Sequence, residues 1–167
     1  KVALKAEQAG VDAVVCEGFE AGGHNGREET TTFTLIPMVK EHLKIPIIAA
    51  GGIGNGRGML AAMVLGADGV QIGSRFAASI ESSAHKNFKQ KIVEVKDGDT
   101  QLTLKELAPV RLIKNKFYYE IEDLYKTNPS NEELKELLGR ARAKKGIYEG
   151  DLIHGELEIG QIAGIIN

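Results

Sequence analysis

The chain has 167 residues, 43% hydrophobic and 26% charged, with a formal net charge of -2. These proportions describe an ordinary globular domain rather than a disordered or fibrous chain, and no apolar stretch approaches the roughly 20 residues that cross a bilayer. With four tyrosines, five phenylalanines, no tryptophan and no basic stripe, nucleic acid is not an expected partner.

Cys16 is the only cysteine, which rules out an internal disulfide and fits a cytoplasmic location. The chain opens KVALKAEQAG, at helical spacing and without Met, so the expectation is an incomplete fragment. Lys1 to Ala9 reads as a short amphipathic helix with Gly10 as its C-cap. Val11 to Cys16 (VDAVVC) reads as a strand running into the glycine-rich EGFEAGGHNG. TLIPMVKEHL follows as a helix, with Thr34 as N-cap and Pro37 in the first turn. Ile45 to Ala50 is a second strand, Arg57 to Leu65 a helix stopped by Gly66, and Gly69 to Ile72 a third strand followed by GSRF. Strand, glycine loop and helix recur at a spacing suited to right-handed βαβ crossovers. The strands lack alternation, which places them in an α/β sheet covered on both faces, either a (β/α) barrel or an open doubly wound sheet.

Beyond Ser79 the texture changes. Residues 80–97 read as a charged helix, 96–100 as a turn, and 104–126 as a helix pair interrupted at Pro109. Ser130 or Asn131 caps a further helix with Glu133 in its first turn, running through LKELLGRARAKKG. The tail GELEIGQIAGIIN reads as a last short helix. No low-complexity linker intervenes, so residues 1–167 are taken as one domain, with 1–79 as βα units and 80–167 as helices packed on the same sheet.

Three strands end in glycine-bearing loops at one carboxyl edge, where α/β proteins hold ligands. Glycine lets backbone N–H groups approach an anion, and a phosphate suits IIAAGGIG and VQIGSRF as a consecutive pair. Arg75 is a candidate for a charge-assisted contact or a structural arginine. The glycines also suit tight βα turns, a reading more natural for one loop than for two in succession. GGIGNGRG contains no complete G-x-G-x-x-G, and no acidic residue closes the next strand, so a dinucleotide fingerprint is not expected.

Glu17, Glu20, His24 and Asn25 crowd into the first loop. A histidine there suits proton transfer from a carbon acid, or a loop histidine held by backbone groups. His42, His85 and His154 read as surface residues. Ligand spacing for a metal is absent, and Cys16 within an apolar strand reads as inert packing.

EGFEAGGHNG, IPIIAAGGIGNGRGMLAAMVLGADGVQIGSRF and GELEIGQIAGIIN together closely resemble the carboxy-terminal half of the nitronate monooxygenases, formerly called 2-nitropropane dioxygenases. They are similar also to the related flavin-dependent enoyl-acyl carrier protein reductases. The resemblance implies the carboxy-terminal part of a TIM-type (β/α)8 barrel with additional carboxy-terminal helices, and FMN as cofactor. It implies that Gly22 and Gly23 line the isoalloxazine side and that His24 abstracts a proton or activates substrate. Gly51, Gly52, Gln71, Ile72, Gly73 and Ser74 match the segments that wrap the FMN phosphate and ribityl chain. Glu17 stands where the family often has a flavin-contacting glutamine, a departure that leaves its contact open.

The implied activity is oxidation of a small alkyl nitronate with oxygen. Alternatives are reduction of an enoyl thioester by NAD(P)H through FMN, or a non-catalytic phosphate-binding or structural piece. Three of eight strands cannot close a barrel, so the expected partner is the missing amino-terminal half or a second copy, as in a homodimer.

Overall fold

The computed structural model describes residues 1–166; Asn167, the end of the expected tail helix, lies outside them. Helix α1 (Val2–Gln8) leads into strand β1 (Val14–Glu17), and a short strand β2 (Gly23–His24) follows within the first glycine loop. Helix α2 (Thr32–Lys40), strand β3 (Ile47–Ala50), helix α3 (Gly56–Val64), strand β4 (Gly69–Gln71) and the single turn α4 (Ser74–Ala77) complete the βα series. The strands form a parallel sheet in the order β1-β3-β4. Its register sets Glu17 beside Ala50 and Ala50 beside Gln71, so three strand tips emerge side by side.

Local sequence explains where these helices start. Thr31 caps α2 by accepting from the Thr34 amide, and Asn55 caps α3 by accepting from Gly58. Thr31, rather than the expected Thr34, therefore begins α2. That moves Pro37 from the first turn into the helix interior, where it has no N–H to offer the carbonyl one turn back.

Among the described residues one face of the parallel sheet carries a hydrophobic core, and the other is closed only at the tip of β3, where Ala50 is buried. Cys16, Ile47 and Ala49 are buried with Ile36 of α2 and Ala62 of α3. On the other face Val15 is 50% exposed, and Glu17 and Gln71 are also open. Strands β1 and β4 each pair on one side only among the described residues. Both features describe a sheet segment rather than a closed barrel.

The second part departs from the expected helices. Residues 104–126 are not a helix pair. Strands β5 (Thr100–Thr103) and β6 (Val110–Ile113) form an antiparallel pair, and helix α6 (Lys116–Tyr125) starts only at its Asn115 cap. All four residues of β6 are buried, so alternation is lost and a short apolar run reads equally as strand or helix. The charged segment 80–97 contains a shorter helix, α5 (Lys86–Glu94), whose cap is His85 accepting from the Asn87 amide at 3.1 Å. The expected helix after Ser130 is two: α7 (Asn131–Leu138), closed by Gly139 at φ 61°, and α8 (Arg142–Ile147). The capping box between Ser130 and Glu133 is formed. The tail ends in a short 3-10 helix, Gln161–Ile165.

Strand β6 joins the halves. It pairs with β5 on one side and on the other with β2, setting Gly23 opposite Arg111 and His24 opposite Val110. Beyond β2 on that side, Leu112 bridges to Glu158 and the Ile113 amide donates to the Leu157 carbonyl at 2.9 Å. The tail thus returns as an extended strap beside the first glycine loop.

Candidate functional site

A cavity of about 240 Å³ opens where the strand tips meet this strap. Glu17, Glu20 and Gly22 enter it from the first loop, Gly51 and Gly52 from the loop after β3, and Gln71, Gly73 and Ser74 from the end of β4. Glu158, Ile159, Gly160 and Ile162 close it from the carboxy-terminal side. Seven of the sequence-predicted site residues therefore share one cavity: Glu17, Gly22, Gly51, Gly52, Gln71, Gly73 and Ser74. Three stand off its wall. Gly23 is buried in the pair with Arg111, Ile72 packs towards the helix-side core, and His24 sits at the rim with a side chain 64% exposed.

The glycines have distinct reasons. Gly51 has φ 91°, and a Cβ there would stand 2.6 Å from the Gly18 carbonyl oxygen, so fold alone demands glycine. A Cβ on Gly22 would stand 2.3 Å from the carbonyl carbon of Ile159, which lets the first loop and the strap meet backbone to backbone. Gly73 differs, because a Cβ there meets nothing within 4 Å. Packing does not require glycine at 73.

Polar contacts fix the walls. The Glu20 carboxylate accepts the Thr32 amide at 3.0 and 3.1 Å, tying the loop to the start of α2. The Thr32 hydroxyl lies 2.8 Å from the Gly51 carbonyl oxygen and 3.0 Å from that of Ala50. Arg75 donates to the Gly54 carbonyl, so it clamps the two neighbouring loops together. Asn25 braces the turn by donating to the Ala21 and Gly23 carbonyls at 3.0 and 2.9 Å. Arg111, 3% exposed, donates to the Phe19 carbonyl at 2.9 and 3.2 Å and lies 5.4 Å from that ring's centre. Desolvation lowers its pKa, opposed by the charges of Glu20 and Glu29.

Anion-binding capacity is concentrated at the tips of β3 and β4. Among the described residues the amides of Gly52 and Gly73 donate to no acceptor. Ser74, only 6% exposed, accepts the Gly160 amide at 3.1 Å, and its own hydroxyl proton is uncommitted. Unused donors on one concave wall fit a phosphate. Among the described residues no Lys or Arg side chain lines the cavity, which leaves backbone and hydroxyl groups as its donors.

Acidic residues occupy the strap side. Burial pushes the Glu158 carboxyl up, partly opposed by His24. Burial also raises Glu156, to about 7, with the Glu158 charge adding to the effect and His24 and Arg142 opposing it. The sequence reading did not single out these two carboxyls. A signal for them existed in Glu156, Leu157, Glu158, Ile159, a polar–apolar alternation typical of an extended strand rather than a helix. Cys16 is buried on the helix side, where desolvation raises the thiol and leaves it inert. No group of three or more metal-ligating side chains is found among the described residues, and no helix there is long and apolar enough to cross a membrane.

The sequence pattern of the nitronate monooxygenase family matches residues 1–167. A probable nitronate monooxygenase from Staphylococcus saprophyticus is 39% identical over 157 residues, covering 86% of this chain and 44% of the relative. FabK from Thermotoga maritima superposes with a TM-score of 0.89 at 43% identity, over 99% of this chain and 52% of that one. A nitroalkane oxidase from Streptomyces ansochromogenes superposes with a TM-score of 0.74 at 31% identity, over 99% of this chain and 50% of that one. The chain thus spans about half the length of the proteins it matches. On sequence pattern, relatives and fold together, the chain belongs to the nitronate monooxygenase family.

Proposed function

We propose that this chain supplies the phosphate-binding side and part of the substrate side of an FMN-dependent oxidoreductase, a nitronate monooxygenase acting on alkyl nitronates or their parent nitroalkanes with oxygen. The observation that carries this is the pair of adjacent parallel strand tips with uncommitted donors at Gly52, Gly73 and Ser74. These groups would hold the FMN phosphate, and Gly51 and Gly22 let the backbone segments behind them pack closely enough to shape that wall. Glu17 and Gln71, at strand ends that line the cavity, would meet the rest of the cofactor, Ile72 would hold the end of β4 in place from the core side, and Gly23 sets the turn that presents His24. When bound, FMN supplies an acceptor for an electron pair and a route to oxygen.

His24 is the proton-handling group: at the cavity rim its imidazole orients the substrate or accepts a proton from the carbon next to the nitro group. The remaining strands of the whole protein pair with the open edges of β1 and β4 and complete a (β/α)8 barrel around the uncovered face. A cavity of about 240 Å³ is smaller than the roughly 300 to 1,000 Å³ of ordinary ligand sites, in keeping with further walls from outside this chain. The single buried thiol suits the cytoplasm.

A second reading, reduction of an enoyl thioester by NAD(P)H through FMN, has one observation in its favour. Glu17 and Glu158 line the cavity without a cationic side chain, an environment that suits an uncharged thioester better than a nitronate anion. Purified protein loaded with FMN is tested for oxygen uptake with a nitronate and for NAD(P)H oxidation with an enoyl thioester. The first reading predicts turnover in the first assay only. A protein that takes up no flavin contradicts both.

A further inference from the structure

Two segments far apart in the chain meet along one edge of β6. Gly23 and His24 pair with Arg111 and Val110, and Leu112, the next residue along β6, bridges to Glu158. Glu158 Oε1 consequently stands 3.8 Å from His24 Nδ1. Its other oxygen lies where a Cβ on Gly23 would come within 2.8 Å, so the absence of a side chain at 23 makes room for this carboxyl. The two partners are unequally buried, with Glu158 23% exposed and His24 64%. Glu158 also lines the cavity. It is the inner member of the pair and His24 the outer one.

Resting on the oxidoreductase reading above, we propose that Glu158 is a positioning residue for His24. It holds the imidazole by its Nδ1 edge and supplies the countercharge for the imidazolium that forms when His24 takes a proton from the substrate. In that step, which applies to the parent nitroalkane, the C–H bond on the carbon bearing the nitro group breaks, its electron pair delocalises onto the nitro group to leave the nitronate, and an N–H bond forms on His24. A carboxylate at ion-pair distance on the Nδ1 side places its charge next to the imidazolium as it forms. An incidental surface pair would not place its acid in the cavity wall, nor its oxygen against a glycine that a side chain would displace.

The other charged groups facing Glu158 are accounted for. Glu156 precedes it on the same strap, with Arg142 of α8 acting on Glu156. Glu17 and Glu20 share the cavity, but Glu20 is engaged by the Thr32 amide. Arg111 on β6 is committed to the Phe19 carbonyl. Among the described residues, His24 is the cationic partner that Glu158 meets at ion-pair distance.

Carbon-detected NMR titration of the Glu158 carboxyl, in the native protein and in H24Q, reads the pairing without substrate or flavin. Loss of the cation raises the Glu158 midpoint in H24Q; an unchanged midpoint overturns the pairing. In FMN-loaded protein, E158Q lowers kcat by about tenfold or more with KM little changed, and E158D recovers part of the loss. Circular dichroism checks that each variant is folded, and E158D with the titration decides the matter if E158Q is not. Native-like kcat in E158Q, in an active enzyme, overturns the inference alone. A native protein inactive on every substrate class overturns the functional reading and this catalytic role with it, even where the titration shows the pairing.

Discussion

Gly22 and Ile159 meet with no room for a side chain: a Cβ on Gly22 would stand 2.3 Å from the Ile159 carbonyl carbon and 2.5 Å from the Gly160 nitrogen. Both obstacles are backbone, so relief requires the strap to move. G22A is expected to cost about 1–3 kcal/mol, the usual range for forced overpacking. Because the strap carries Glu158 and Gly160, flavin affinity falls as well. Thermal unfolding and flavin titration of G22A check both effects; native values in the two measurements would remove the strap from the account.

Arg111 anchors the same loop from beneath. Arg111 is 3% exposed, and its guanidinium donates twice to the Phe19 carbonyl. R111M leaves that carbonyl without its donors and is expected to lose about 1–3 kcal/mol. In a domain of this size each kcal/mol lowers Tm by about 2–4 °C. R111K keeps the charge but not the two-pronged geometry and falls between the two. Calorimetry of the three proteins ranks them, and an R111M variant as stable as native would contradict the anchoring role.

Glu156 makes folding stability depend on pH. Burial raises its carboxyl from the ordinary 4.5 to about 7 in the folded protein. The folded state therefore holds a proton that the unfolded chain releases earlier. Its contribution favours the folded protein at low pH and weakens it as pH rises from about 4.5 to about 7. The upper bound on the change is about 3 kcal/mol. Urea unfolding across this window shows a downward slope for native protein and a flatter one for E156Q; parallel slopes would assign the pH dependence elsewhere.

How much of this was legible from residues alone follows from local physics. The βα units announce themselves through short β-branched runs, glycines at strand ends and capping side chains, all of which act within a few positions of one another. The cap at Thr31 instead of Thr34 is the usual error at an element boundary, where several hydroxyl residues stand in a row. Strands β5 and β6 were illegible because β6 is buried on both faces, with Ile113 packed against Phe88 and Ile92 and with Val110 and Leu112 packed against Phe117 and Ile121, while its edge partners Gly23 and His24 lie far away in the chain. Gly22, Gly51, Gly52 and Gly73, from three separate loops, line one cavity. The acid side was not legible, since Glu158 reaches His24 only through a shared neighbour, β6, and sequence distance hides such a meeting. Gly23 is the instructive intermediate case: its residue type was noticed, but its position in a buried strand pair, opposite Arg111, is a tertiary fact.

The central claim is that the tips of β3 and β4 grip a phosphate, and Gly73 offers the cleanest test because a Cβ there meets nothing within 4 Å. Flavin affinity is measured by fluorescence titration with FMN and with riboflavin, which lacks the phosphate, for native protein and G73V at unchanged Tm. The account predicts that native protein binds FMN at least about a hundredfold more tightly than riboflavin, and that G73V erases most of that difference. Equal affinities for the two flavins in the native protein, or a G73V variant that keeps the full preference for FMN, would contradict it.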